Sequence, residues 1–196
     1  MNVLIVYAPS SCSTSHRHIL ESARDCAVAT LQKRHHAVTV LDLTSFDPVL
    51  GAAERGAYFS DSPLIDAVAR EHAALVQDSQ ALVIVYESVM VTLPPSLKGW
   101  LDRVLVPGVS FSVDEAGKVR RGLLGLNWIV GICLYQDSWL ATKRSRDGGR
   151  RILLRCLRMC ARSTTRTSWL ALYQPEHQGG VENRFIGRVQ QRMAKL

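Results

Sequence analysis

Five hydroxyl side chains crowd one short stretch of the chain: Ser10, Ser11, Ser13, Thr14 and Ser15. They follow an apolar run, NVLIVYA at residues 2–8, and they open a helical pattern. The first N–H groups of a helix lack intrahelical partners, and its dipole puts positive charge at that end. Hydroxyls placed there complete an anion site suited to a phosphate. The plainer alternative is a helix cap, for which one of these side chains is enough. A second loop, Glu87 to Leu93, ends the apolar run at residues 81–86. In open α/β sheets, ligands bind beyond the carboxyl ends of the strands. That rule makes this loop and a third one, LYQDSW at residues 134–139, candidates for a ligand site.

Positive charge is concentrated elsewhere. The formal net charge is +7, and much of the excess lies between Lys143 and Arg166. Arg151, Arg155, Arg158 and Arg162 recur at helical spacing as one stripe, preceded by Lys143, Arg144 and Arg146. A solvated helix face is the simplest reading. Docking of a phosphate-bearing ligand is the next. No recognition motif or interleaved aromatic platform accompanies the charge, so nucleic acid is not expected as a partner.

Other chemistries find less support. His16 and His18, and His35 and His36, do not place two imidazoles on one helical face beside a third ligand, so no metal is expected. No Ser-His-Asp order with an elbow motif occurs, which disfavours hydrolysis. Cys12, Cys26, Cys133, Cys156 and Cys160 are odd in number and have no framework spacing. They point to a reducing, cytoplasmic compartment. Cys156 and Cys160, one helical turn apart, read as small buried hydrophobes. No apolar run approaches the roughly 18 residues of a membrane span. The opening residues read as a first strand and not as a signal peptide.

The elements that must position these loops follow from apolar periodicity. Strands are expected at 2–8, 36–43, 81–86, 126–134 and 166–173. Helices are expected at 16–33, 64–77, 150–161 and 181–196, with a loop and short helix in the variable stretch 44–63. Residues 111–123 read as a hairpin turning at Glu115-Ala116-Gly117. Between Pro94 and Pro107, Ser96 is the expected cap of a further helix. In that helix Leu97, Trp100, Leu101, Val104 and Leu105 share one face, with Lys98, Asp102 and Arg103 off it. Strands alternating with helices specify a parallel sheet covered on both faces. With no linker, repeat or low-complexity segment in its 196 residues, the chain is expected to form one domain, 1–196.

The run PPSLKGWLDRVLVPGVSF, from Pro94 to Phe111, resembles the signature of the flavodoxin-like NAD(P)H:quinone oxidoreductase family of the DT-diaphorase type. The resemblance runs over nearly the whole chain, strong from Ala81 to Phe111, moderate over residues 150–173 and weak in the first loop. It implies a flavodoxin-like three-layer α/β fold with a five-stranded parallel sheet in the order 2-1-3-4-5. It also implies bound FMN, with FAD as the alternative, NAD(P)H as co-substrate, quinone-like acceptors and a homodimer. In such a protein the loop carrying Ser11, Ser13, Thr14 and Ser15 holds the flavin phosphate and ribityl chain. Val89, Met90, Val91 and Thr92 form the isoalloxazine cradle, with aliphatic residues where typical members have aromatic ones. Tyr135 donates to a flavin carbonyl and takes the catalytic position, Gln136 stands in place of a glycine at the ring edge, and Trp139 lines the substrate slot. One site serving two flat substrates in turn implies ping-pong kinetics. Azo- or nitro-reduction uses the same machinery. A non-catalytic regulatory subunit, for example of an ion-efflux system, is the rival from another class.

Overall fold

The structure, a computed structural model, describes residues 1–10, 14–60, 62–64, 66–175 and 180–196. Five parallel strands form the central sheet: β1 (Asn2–Ala8), β2 (Ala37–Asp42), β3 (Ala81–Glu87), β6 (Trp128–Tyr135) and β7 (Arg166–Tyr173), in the order β2-β1-β3-β6-β7. Two short strands, β4 (Phe111–Val113) and β5 (Val119–Arg121), pair antiparallel as the expected hairpin. Setting that hairpin aside, the sheet order is the expected 2-1-3-4-5.

Successive side chains on a strand face opposite ways, and here both faces are covered. Leu4, Val6, Leu82, Ile84 and Tyr86 point to one layer, which holds α3 (Ala67–Asp78), α4 (Pro95–Val104) and α6 (Gly148–Cys160). Val3, Ile5, Tyr7, Val83, Val85, Val130 and Ile132 point to the other, formed by α1 (Thr14–Lys33) and α7 (Val181–Met193). A strand buried on both sides has no polar alternation, which is why β3 reads ALVIVYE and is buried throughout. Each fully buried Leu, Ile or Val of that strand stabilises the fold by about 2 kcal/mol. Two short helices, α2 (Ala52–Ala57) and α5 (Trp139–Arg144), complete the elements of the described residues.

The signature run has structural reasons of its own. Helix α4 starts at Pro95, one residue before the expected cap Ser96, and Pro94 takes the cap position. Proline suits the first helical position because its missing N–H has no partner to lose there. Gly99 lies under the Pro48 backbone, and a methyl group there would sit 2.1 Å from the Pro48 carbonyl oxygen. Trp100 is fully buried. Arg103, expected off the buried face, is 8% exposed. The reason lies in the crossover between β2 and β3, which wraps over it. Arg103 Nε donates to Glu54 at 2.8 Å, Nη1 donates to the Asp47 carbonyl at 2.8 Å, and Nη2 lies 3.2 Å from Asp66.

Candidate functional site

The carboxyl ends of β1, β3 and β6 carry the three loops singled out in the sequence. Past β3 the chain makes a two-residue hairpin. Val89 N–H donates to the Thr92 carbonyl at 3.1 Å and Thr92 N–H donates back at 2.9 Å. The residues between, Met90 and Val91, have φ of 49° and 60°. Turns with two left-handed residues usually carry Asn-Gly. An L residue in this conformation costs roughly 1–2 kcal/mol, and a β-branched one is a genuine outlier. Neighbours hold the turn in place: Ser88 Oγ donates to the Thr92 carbonyl at 3.2 Å, and Gly149 N–H donates to the Val91 carbonyl at 3.1 Å. The outcome is that Met90 stands 90% exposed on the rim. Strained non-glycine backbone of this kind clusters at binding sites.

Beside the turn lies a buried carboxylate. Glu87 ends β3 and is 0% exposed. Its Oε1 lies 2.8 Å from His16 Nδ1, on the first turn of α1, and accepts from Gln136 Nε2 at 3.0 Å. Its Oε2 has no partner among the described residues. A charge at this depth requires compensation. The imidazole, the amide and the positive end of α1 all supply it. Three rim loops, 71 and 49 residues apart in sequence, thus converge on one carboxylate.

The third loop is organised differently from its sequence reading. Tyr135 is 1% exposed, and its hydroxyl donates to Asp147 Oδ2 at 2.7 Å. The ring stacks on Tyr173, with centroids 4.9 Å apart. Burial, then Cys133 and Asp147, push the phenol far above its ordinary value, so it stays protonated. Expected as the catalytic donor to a ligand, Tyr135 instead commits its hydroxyl to Asp147. Asp147 in turn caps α6, accepting from Arg150 N–H at 3.2 Å. Trp139 does face outward, 55% exposed, with Lys143 Nζ 4.8 Å from its ring centroid. Burial also raises the Cys133 thiol, which is therefore not a nucleophile. Among the described residues, no three His, Cys, Asp or Glu side chains gather as a metal site.

The family model described as the flavodoxin-like fold matches residues 1–142. This chain belongs to that family. No curated protein matches it. Solved structures similar to this flavodoxin-like chain include Smu.1420 from Streptococcus mutans UA159, at 23% identity and TM-score 0.80 over all of both chains. An NAD(P)H:quinone oxidoreductase from Methanothermobacter marburgensis is 19% identical, with 99% of this chain and 98% of that one covered and a TM-score of 0.78. An FMN-dependent NADH-azoreductase from Bacillus anthracis str. Ames Ancestor, in complex with FMN, is 10% identical over 99% and 98%, with a TM-score of 0.77. At these identities the likeness is one of fold.

Placed on the flavodoxin-like sheet, the sequence-derived residues divide clearly. Thr14 and Ser15 open α1 and are exposed; Ser11 and Ser13 lie outside the described residues. Val89, Met90, Val91 and Thr92 form the strained turn, and Gln136 reaches across to Glu87. Two participants escaped the sequence reading, Glu87 and His16. The signal for Glu87 was present as an acid at the end of an otherwise apolar strand. His16 was set aside as a metal ligand, and its role as a buried partner needs a residue 71 positions away.

Proposed function

We propose that this protein is a flavin-dependent NAD(P)H oxidoreductase that takes FMN at the carboxyl rim and reduces quinones or similar electron-poor aromatics. The observation that carries this reading is the rim itself: a strained turn presenting Met90, a buried Glu87 with a spare acceptor, and the opening of α1 converge there. These residues fit a flavin. Thr14, Ser15 and the first N–H groups of α1, with Ser11 and Ser13 in the same loop by sequence, suit a phosphate. Glu87 Oε2 is an acceptor for which a polyol hydroxyl is the natural donor. Met90 and Trp139, both exposed, offer apolar faces to a flat ring.

When bound, the flavin supplies the chemistry of hydride acceptance and release. The protein's part is to bind and orient. The turn from Val89 to Thr92 holds Met90 in one place, and Gln136 and His16 fix the Glu87 carboxylate. Met90, Trp139 and Leu140 are 90%, 55% and 68% exposed. Covering them is the natural task of a second copy, so the active form is a homodimer that shields the rim from water. The whole chain, 1–196, acts as one domain in this reading, and an odd cysteine count without framework spacing suits a cytoplasmic protein.

Azo compounds are the second acceptor class, because quinone- and azo-reducing proteins share this fold. The test is to incubate the purified protein with FMN and with FAD, remove excess flavin and record the flavin absorbance. NAD(P)H oxidation is then followed with menadione and with an azo dye. Retention of FMN at one per chain and parallel double-reciprocal lines are expected. Retention of neither flavin overturns the proposal.

A further inference from the structure

Along α6 and the turn before it lies an open cavity of about 700 Å³, within the size range of small-molecule sites. Arg146, Arg151, Arg155 and Arg158 line it, together with Gly148 and Ile152. Arg146, Arg151 and Arg155 make no ion pair among the described residues, and the described partner of Arg158 is the Thr167 hydroxyl at 3.4 Å. Four guanidinium groups around one hollow repel one another, and no carboxylate among the described residues lines it. Their planar forks match phosphate oxygens. Ile152, 39% exposed, adds an apolar surface of the kind a purine packs on.

The cavity adjoins the rim. Gly149 N–H donates to the Val91 carbonyl at 3.1 Å, and a methyl group at Gly148 would lie 3.4 Å from the same oxygen. The backbone that walls the cavity is therefore the backbone that braces the Met90–Val91 turn. The segment leading into α6 is also strained, with φ of 62° at Arg146 and 43° at Asp147. Arg151, Arg155 and Arg158 then spread over about 10 Å of helix axis. Arg162, though on the same stripe, does not line the cavity.

We propose that this cavity holds the 2′-phosphate end of NADPH and makes the protein prefer NADPH to NADH. This rests on the oxidoreductase reading above. A dinucleotide lying across the seam between turn and helix puts its nicotinamide beside Met90 and its 2′-phosphate among the arginines. A nucleic-acid strand fits less well, because no aromatic side chain among the described residues lines the hollow for base stacking.

Calorimetric titration of the full-length protein with 2′,5′-ADP and with 5′-AMP isolates the 2′-phosphate and needs no flavin. 2′,5′-ADP should bind about tenfold tighter or better. Arg151→Gln and Arg155→Gln should each remove most of that advantage, and Arg162→Gln none of it. In turnover the first two raise the KM for NADPH and leave the KM for NADH and kcat unchanged. Equal affinity for the two nucleotides, equal losses in Arg162→Gln, or tighter arginine-dependent binding of a single-stranded oligonucleotide overturns the proposal. Flavin retention is scored separately. A protein that keeps the 2′-phosphate preference but takes no flavin therefore sinks the oxidoreductase reading alone.

Discussion

Replacing Met90-Val91 by Asn-Gly tests whether the rim turn is held under strain for binding. Both residues are left-handed, at 49° and 60°. Relieving two such L residues returns roughly 2–4 kcal/mol. Against this stand the extra entropy that glycine loses on folding, roughly 0.5–1 kcal/mol, and about 1 kcal/mol for the lost burial of the half-buried Val91. The double variant M90N/V91G should therefore be more stable by about 1 kcal/mol. For a chain of this size that raises Tm by roughly 2–4 °C. Urea denaturation should show a higher midpoint with an unchanged slope. FMN affinity should fall several-fold in the same variant, because the apolar face of Met90 is gone. A variant no more stable than the parent refutes the strain argument. A variant that is more stable and binds FMN as well as the parent refutes the role of Met90.

Three further outcomes are expected. Glu87→Ala removes the acceptor shared by His16 and Gln136 and should cost about 3 kcal/mol by urea denaturation, while Glu87→Gln, which keeps an oxygen, should cost less. Gly99→Ala drives a methyl group into the Pro48 backbone and should cost about 3 kcal/mol. Gly56→Ala, with nothing within 4 Å, should instead stabilise by roughly 0.5–1 kcal/mol, and the two together check the local packing. Burial holds His72 below its ordinary value, Arg103 pushes the same way, and Glu71 and Asp66 oppose. The unfolded chain then binds the proton more readily, so this contribution is complete above about pH 6.5 and is lost as pH falls through the folded value. His72→Gln should flatten the acid limb of stability between about pH 7 and pH 5. His36, lowered by burial and by the amino terminus, keeps some slope of the same sign.

What could be read from the chain was whatever depends on neighbours in sequence. Strand β7 runs over the expected residues 166–173, and β3 extends its apolar run by one residue to Glu87. The hairpin turning at Glu115-Ala116-Gly117 forms because Asp114 accepts from both Ala116 N–H and Lys118 N–H. What could not be read depends on distant partners. Arg103 sits on the polar side of its own helix and is buried only because residues 47, 54 and 66 reach it. The left-handed pair at Met90 and Val91 runs against turn preferences and exists because Ser88 and Gly149 brace it. Tyr135 looked free to meet a ligand until Asp147, 12 residues on, took its hydroxyl.

Arg103 also bears on the order in which the chain matures. The crossover that delivers β3 to the centre of the sheet is fastened by a side chain made 56 residues later than its first anchor, Asp47. During synthesis, β1 and β2 can pair early and α3 can pack on β1, but the ribosome must release α4 before Asp47, Glu54 and Asp66 have Arg103 to grip. Until then it remains a loose flap over a half-built layer, open to proteases and to wrong partners. A pause in translation shortly before residue 103 is where this protein is most exposed to misassembly.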